Sequence, residues 1–290
     1  MRKVEQLELE KWMEHVRVYA NNGKVADYIP ALKKQQPEMY AVAFYHLDGD
    51  CVGTGQVDYS FTIQSVSKVI TLAIALIEHG KEAVFSRVGL EPSSDPFYSI
   101  SRLEMEKPSK PLNPMINAGA LAITNMISGK TSEDMVNNIL QFIHRITGDS
   151  TITYDEEVAK SEFDTAFLNR SLCYFMKENG VITGSVEELL DTYSKQCAIN
   201  MNVIQLAKIG ALFANDGKSL DSDEQIIPRD YARICKTLMV TCGMYNSSGT
   251  FATKVGIPAK SGVSGVILGV VKNIGGVAVF GPSLDEKGNS

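Results

Sequence analysis

The sequence predicts a mixed α/β protein of the α+β kind: one antiparallel sheet built from both chain ends, flanked by helices, with a large helical lobe between them. Three observations predict it. Short β-rich runs occur near the beginning and at the far end of the chain, and the middle carries helical periodicity with recognisable caps. The third is composition: 290 residues with 44% hydrophobic and 21% charged content describe a globular chain large enough for one big core. The expected organisation is a single catalytic domain over residues 1–290 with two intermixed lobes. The sheet lobe covers about 1–65 and 246–290, the helical lobe about 66–245.

Residues 1–19 alternate charges with Val4, Leu7, Trp12, Val16 and Tyr19, which reads as an amphipathic helix. That stretch has no apolar signal core, so the expected location is cytoplasmic. Residues 39–45 are apolar and β-rich, a turn follows at Asp48-Gly49, and residues 51–55 read as the return strand of a hairpin. Residues 69–77 are apolar except for Thr71, so that helix must be buried. Thr131-Ser132-Glu133-Asp134 caps a helix running toward Gly148, and residues 155–179 read as one long amphipathic stretch stopped by Gly180. Ser185-Val186-Glu187-Glu188 is a second capping box, and helices are expected over 203–214 and from Pro228 to Met239. Residues 263–271 and 276–280 then read as adjacent antiparallel strands.

Several function classes are disfavoured. The net charge is −6 without any basic block, so neither nucleic acid nor an anionic membrane is an expected partner. The longest apolar run is far short of the roughly 20 residues that span a bilayer. Five cysteines form an odd set without a Cys-x-x-Cys spacing, as for free thiols in a reducing compartment. The four histidines lie far apart, so no metal, no cofactor and no histidine base are expected. Gly217-Lys218-Ser219 resembles the end of a P-loop, but Leu212 stands where its first glycine belongs, and Asn215-Asp216-Gly217 reads as a helix stop.

The chemistry centres on Ser65-Val66-Ser67-Lys68 at the mouth of the buried helix. A hydroxyl is a poor nucleophile near neutral pH unless a base takes its proton, and a lysine becomes such a base when burial disfavours its charge. Ser-x-x-Lys sets the two one helical turn apart. Taken alone, Ser65 reads equally as a helix cap and Lys68 as a snorkelling surface residue. Lys260-Ser261-Gly262 would put a cation, a hydroxyl and a close-approach glycine on a late strand, or else a solvated strand-end charge and a bulge.

With that architecture, the Ser-x-x-Lys and Lys-Ser-Gly elements resemble the serine β-lactamase and penicillin-binding fold. A more specific resemblance is carried by five blocks: Asp27-Tyr28-Ile29-Pro30, residues 113–120 (Asn-Pro-Met-Ile-Asn-Ala-Gly-Ala), Ser161-Glu162 with Asn169, Cys242-Gly243-Met244-Tyr245, and residues 258–263 (Pro-Ala-Lys-Ser-Gly-Val). In order and along nearly the whole chain, they are similar to the serine-dependent bacterial glutaminases. That resemblance implies hydrolysis of L-glutamine to L-glutamate and ammonia. It implies Ser65 as nucleophile, Lys68 as its base, Tyr245 as proton relay to the leaving ammonia, and the backbone N–H groups of Ser65 and Val263 as oxyanion hole.

The same resemblance implies a substrate shell of Tyr28, Asn117, Glu162, Asn169 and Tyr193, with Lys260, Ser261 and Gly262 in support. Glu162 is the informative member, because a carboxylate can read an α-ammonium group. A spacing of seven residues puts Glu162 and Asn169 two turns apart, able to face one cleft. Each has a plain alternative: tyrosines pack with a satisfied hydroxyl, Asn117 caps the turn after Pro114, and Glu162 pairs with Lys160 or Arg170. A homo-oligomer, as a tetramer, is also implied. Members of the family usually continue past Ser290 into a further helix on the sheet, so one sheet face is expected to be less covered here, or else covered by a partner subunit. The competing functions are a penicillin-recognising serine hydrolase or esterase, and a catalytically silent amino-acid-binding protein of the same fold.

Overall fold

The amphipathic stretch at the beginning of the chain forms helix α1, Gln6–Val16, followed by a tight 3₁₀ turn at Arg17–Asn22. The computed structural model describes residues 3–93, 95–105 and 109–290, so the first two residues of that predicted helix lie outside it. Strands β1, Ala41–His46, and β2, Cys51–Gly55, form the expected hairpin, with Tyr45 opposite Cys51. Three strands near the far end, β5 (Ala259–Gly262), β6 (Val266–Val271) and β7 (Gly275–Phe280), complete one antiparallel sheet in the order β2-β1-β7-β6-β5. The joint between the two chain ends is the β1–β7 ladder, running from Ala41 opposite Phe280 to His46 opposite Gly275. The strand expected over 263–271 starts only at Val266: Val263–Gly265 makes the β5–β6 turn, and β5 is a separate strand before it.

Between the chain ends lie a two-residue strand β3 (Phe61–Thr62), helix α2 (Ser67–Arg87), a short α3 (Ser101–Met105), α4 (Asn117–Thr124) and α5 (Ser132–Thr147). Then come α6 (Glu156–Thr165), α7 (Phe167–Glu178), α8 (Val186–Cys197), strand β4 (Asn200–Met201), α9 (Val203–Ala214), α10 (Arg229–Cys242) and α11 (Ser248–Lys254). The capping box that opens α5 is formed by Thr131 and Asp134 as expected. Ser185 accepts from the Glu188 N–H at the start of α8. A further capping box, Asn202 with Gln205, opens α9.

The long amphipathic stretch over 155–179 is not one helix. It breaks at Ala166 (φ −75°, ψ 34°), where Ala166 both ends α6 and starts α7. Glu162 and Asn169 therefore sit on two successive helices, and their shared outlook comes from the bend rather than from helical repeat.

α9 is buried along most of its surface, with Val203, Leu206, Ala207, Ile209, Leu212 and Phe213 all shielded, because it lies between the sheet and the other helices. α2 is similarly enclosed from Ser67 to Leu76 and bends at Gly80, whose φ of 76° few other residues adopt. Burying each of Val69, Ile70, Leu72, Ile74 and Leu76 contributes about 1.5–3 kcal/mol. A second, smaller cluster of Ile29, Leu32, Val158, Ala198, Val263 and Leu284 pins the segment around Tyr28 to α6 and to the β5–β6 turn.

Candidate active site

Ser65 lies on a 3₁₀ turn, Gln64–Val66, that leads straight into α2. Neighbours hold this turn from two sides. The Ile63 N–H donates to Ile199 O at 2.9 Å, and β3 pairs with β4. On the other side β5 passes so close that a Cβ on Gly262 would meet Ile63 O at 2.7 Å. Gln64, immediately before the serine, has φ of 46°, an uncommon conformation for a side-chain-bearing residue that such packing enforces. The hydroxyl of Ser65 does not cap the helix; Val66 stands at the cap position and no side chain caps it.

Lys68 is 1% exposed, so it does not snorkel. Its Nζ donates to Met115 O at 3.1 Å and to Asn117 Oδ1 at 2.8 Å. Burial drives its pKa down to about 8, with Cys197 and Glu162 opposing the shift. Asn117 turns its amide outward from this contact, donating to Asn169 Oδ1 at 3.2 Å. The turn after Pro114 is capped instead by Asn113, whose Oδ1 accepts from the N–H groups of Met115 and Ile116.

Tyr245 approaches Ser65 from the other side, on a backbone held at φ 51°. Its ring stacks on Phe97 (centroids 4.4 Å apart), its hydroxyl hydrogen-bonds the Ser65 side chain, and it donates to Ser261 O at 3.4 Å. Burial raises the phenol to about 12, while the contacts with Ser65 and Ser261 pull it back. Lys260 is fully buried on β5, donating to Ser261 O at 2.6 Å and lying 4.2 Å from the centre of the Tyr245 ring. Burial first, and then the charge of Lys68, holds its pKa well below the usual lysine value. It is a buried amine, not a solvated strand-end charge.

A cavity of about 270 Å³ joins these parts. Ser65, Asn117, Glu162, Asn169, Tyr193 and Val263 line it, and Tyr28 and Tyr98, both substantially exposed, stand at its rim. Lys68 and Tyr245 lie behind the lining, in contact with Asn117 and Ser65 respectively.

Glu162 is 9% exposed. Neither alternative partner takes it, since Lys160 pairs with Asp164 and Arg170 with Glu187. Burial raises its pKa to about 7, opposed by hydrogen bonds from Cys197 and Gln64 and by the charge of Lys68. Its Oε2 has no hydrogen-bond partner among the described residues. A buried carboxylate oxygen left open inside a cavity calls for a donor from outside the chain.

Several lining residues were not singled out as site residues from sequence, among them Gln64, Phe97, Tyr98 and Cys197. Gln64 adjoins the candidate nucleophile and Cys197 lies one turn beyond Tyr193, but nothing in their residue types signals the pocket.

A serine at the mouth of a buried helix, a lysine one turn on, and a Lys-Ser-Gly strand at the edge of an antiparallel sheet define the β-lactamase-like class. The glutaminase family model matches residues 23–290. A glutaminase of Geobacillus thermodenitrificans is 57% identical over 283 residues, covering 98% of this chain and 92% of that protein. A probable glutaminase of Bacillus subtilis superimposes with a TM-score of 0.92 at 40% identity, covering 98% of this chain and 91% of that one. A covalent complex of Bacillus subtilis glutaminase with 5-oxo-L-norleucine, formed by reaction with 6-diazo-5-oxo-L-norleucine, superimposes with a TM-score of 0.89 at 38% identity, covering 98% and 93%. The chain belongs to the glutaminase family. Among the described residues, no helix is long and apolar enough to cross a membrane.

Proposed function

We propose that this protein hydrolyses L-glutamine to L-glutamate and ammonia, with Ser65 attacking the side-chain carboxamide. The observation that carries the reading is a single cavity lined by both a serine hydroxyl and a buried carboxylate with one unpartnered oxygen. The first suits acyl transfer; the second suits an α-ammonium group in the same cavity. The reaction of a Bacillus subtilis relative with a diazo-oxo analogue of glutamine supports the same chemistry.

Lys68 is the base. Two of its N–H directions are taken by Met115 and Asn117, so loss of one proton leaves a lone pair for the Ser65 hydroxyl one turn away. A pKa near 8 leaves about one amine in ten uncharged at pH 7. Attack forms a tetrahedral oxyanion, met by the N–H groups of Ser65 and Val263. Tyr245, already bonded to Ser65, passes a proton to the departing nitrogen, because ammonia leaves only once protonated. Water then hydrolyses the acyl-serine by the reverse use of the same groups. Glu162 holds the substrate ammonium, while Asn117, Asn169, Tyr193 and Tyr28 complete the shell, and Lys260, Ser261 and Gly262 support the strand beside it.

Ammonia release from glutamine and from asparagine, compared for the wild type and Ser65→Ala, tests this. Turnover of glutamine that vanishes in the variant is expected; unchanged release in Ser65→Ala would reject it. The reading also includes a homotetramer in the cytoplasm, for which light scattering and cell fractionation are the tests.

A further inference from the structure

Four buried polar side chains line up toward Glu162, and the last of them, Cys197, lines the pocket itself. The Thr124 hydroxyl on α4 lies 2.9 Å from Gln196 Oε1, and Gln196 Nε2 donates to Ser67 Oγ at 3.4 Å. Ser67 in turn lies within hydrogen-bonding reach of Cys197, and Cys197 within reach of Glu162. Thr124, Gln196 and Ser67 are wholly buried, and Cys197 is 1% exposed. The mechanism above uses none of them, although Ser67 lies inside the Ser-x-x-Lys sequence itself.

The donors run one way. The Gln196 amide can only donate to the serine oxygen, which frees the Ser67 O–H for the sulfur, which in turn leaves the S–H for the carboxylate. A carboxylate in a dry site needs such donors to keep its charge and its rotamer, and a chain of bonds pointing at it is polarised by its charge. Because Oε2 is left without a partner, the chain restrains the side chain while leaving that oxygen for substrate.

We propose that Ser67 and Cys197 are positioning residues that fix the Glu162 carboxylate for the substrate's α-ammonium group, through a buried hydrogen-bonded chain anchored on Gln196 and Thr124. This rests on the assignment of Glu162 as the ammonium reader. The thiol is a hydrogen-bond donor here and not a nucleophile; burial, and then the charge of Glu162, push its pKa up.

The test separates amino-acid recognition from catalysis. KM and kcat for L-glutamine, and the inhibition constants of L-glutamate and of glutarate, which lacks the amine, are measured for wild type, Cys197→Ala, Cys197→Ser, Ser67→Ala and Glu162→Gln. Cys197→Ala and Ser67→Ala are expected to raise KM about tenfold, with kcat within about threefold, because Glu162 grips ground state and transition state alike. Both should weaken glutamate and leave glutarate nearly unchanged, and Cys197→Ser, which retains a donor, should recover most of the loss. If both ligands weaken equally in Cys197→Ala and Ser67→Ala, the chain is only packing and the proposal fails. If Glu162→Gln erases the preference for glutamate but the two alanine variants keep it, the chain fails while the assignment of Glu162 stands. If Glu162→Gln itself keeps that preference, the assignment falls and the chain with it.

Discussion

Lys68 is the residue at which burial and chemistry meet. Its pKa falls from 10.5 to about 8, which corresponds to about 3 kcal/mol of destabilisation of the charged form and yields a base usable near neutral pH. Nucleophile and base act as a unit, so Lys68→Ala is expected to remove nearly all turnover while the chain stays folded. Steady-state rates with a thermal melt check this, and a tenth of the wild-type rate surviving would contradict the role. The pH profile carries the same signature: the amine must lose its proton near pH 8 and Glu162 must be ionised, which happens near pH 7. kcat/KM for glutamine is therefore expected to climb between about pH 6.5 and 8.5. A profile falling across that window would be incompatible with a lysine base.

At the scale of elements, the proposed catalytic geometry depends on how closely edge strand β5 approaches the turn bearing Ser65. Gly262 permits that approach, because any side chain there meets Ile63 O at 2.7 Å and Val266 Cγ1 at 3.0 Å. Gly262→Val is expected to push strand and turn apart, displacing Val263 from its proposed oxyanion position and lowering kcat at least a hundredfold. Melting should shift by only a few degrees, since the β5–β6 ladder survives; wild-type activity in a variant that folds would show that the spacing does not matter. The bend at Ala166 belongs to this scale too, as it carries Glu162 and Asn169 to one cavity from two helices.

For the whole molecule, the site has a stability cost. Burial makes Glu162 hold its proton more tightly in the folded chain, up to about pH 7, than in the unfolded chain, near 4.5. Between those values the folded state binds the extra proton, so stability falls as pH rises and the full penalty applies above pH 7. Glu162→Gln removes the charge and keeps the shape. Relative to wild type it is expected to gain up to about 3 kcal/mol on going from pH 5 to pH 8. Denaturant unfolding at both pH values measures it, and equal differences at the two would show that the carboxylate is not strained by burial.

Local chemistry was legible along the chain wherever a short stretch fixes its own outcome. The hairpin, the Thr131 cap, the apolar helix after Ser65 and the ordered motif blocks are such cases, since caps, turns and periodicity act over a few residues. Tertiary structure alone decided that the 155–179 stretch bends at Ala166, that β5 starts at Ala259, and that Gln64 and Cys197 converge on Glu162. Those outcomes depend on neighbours far apart in sequence: packing across α6, α8 and β5 sets which polar atoms are sealed from water, and only that enclosure gives Lys68 and Glu162 the proton affinities that the proposed chemistry uses.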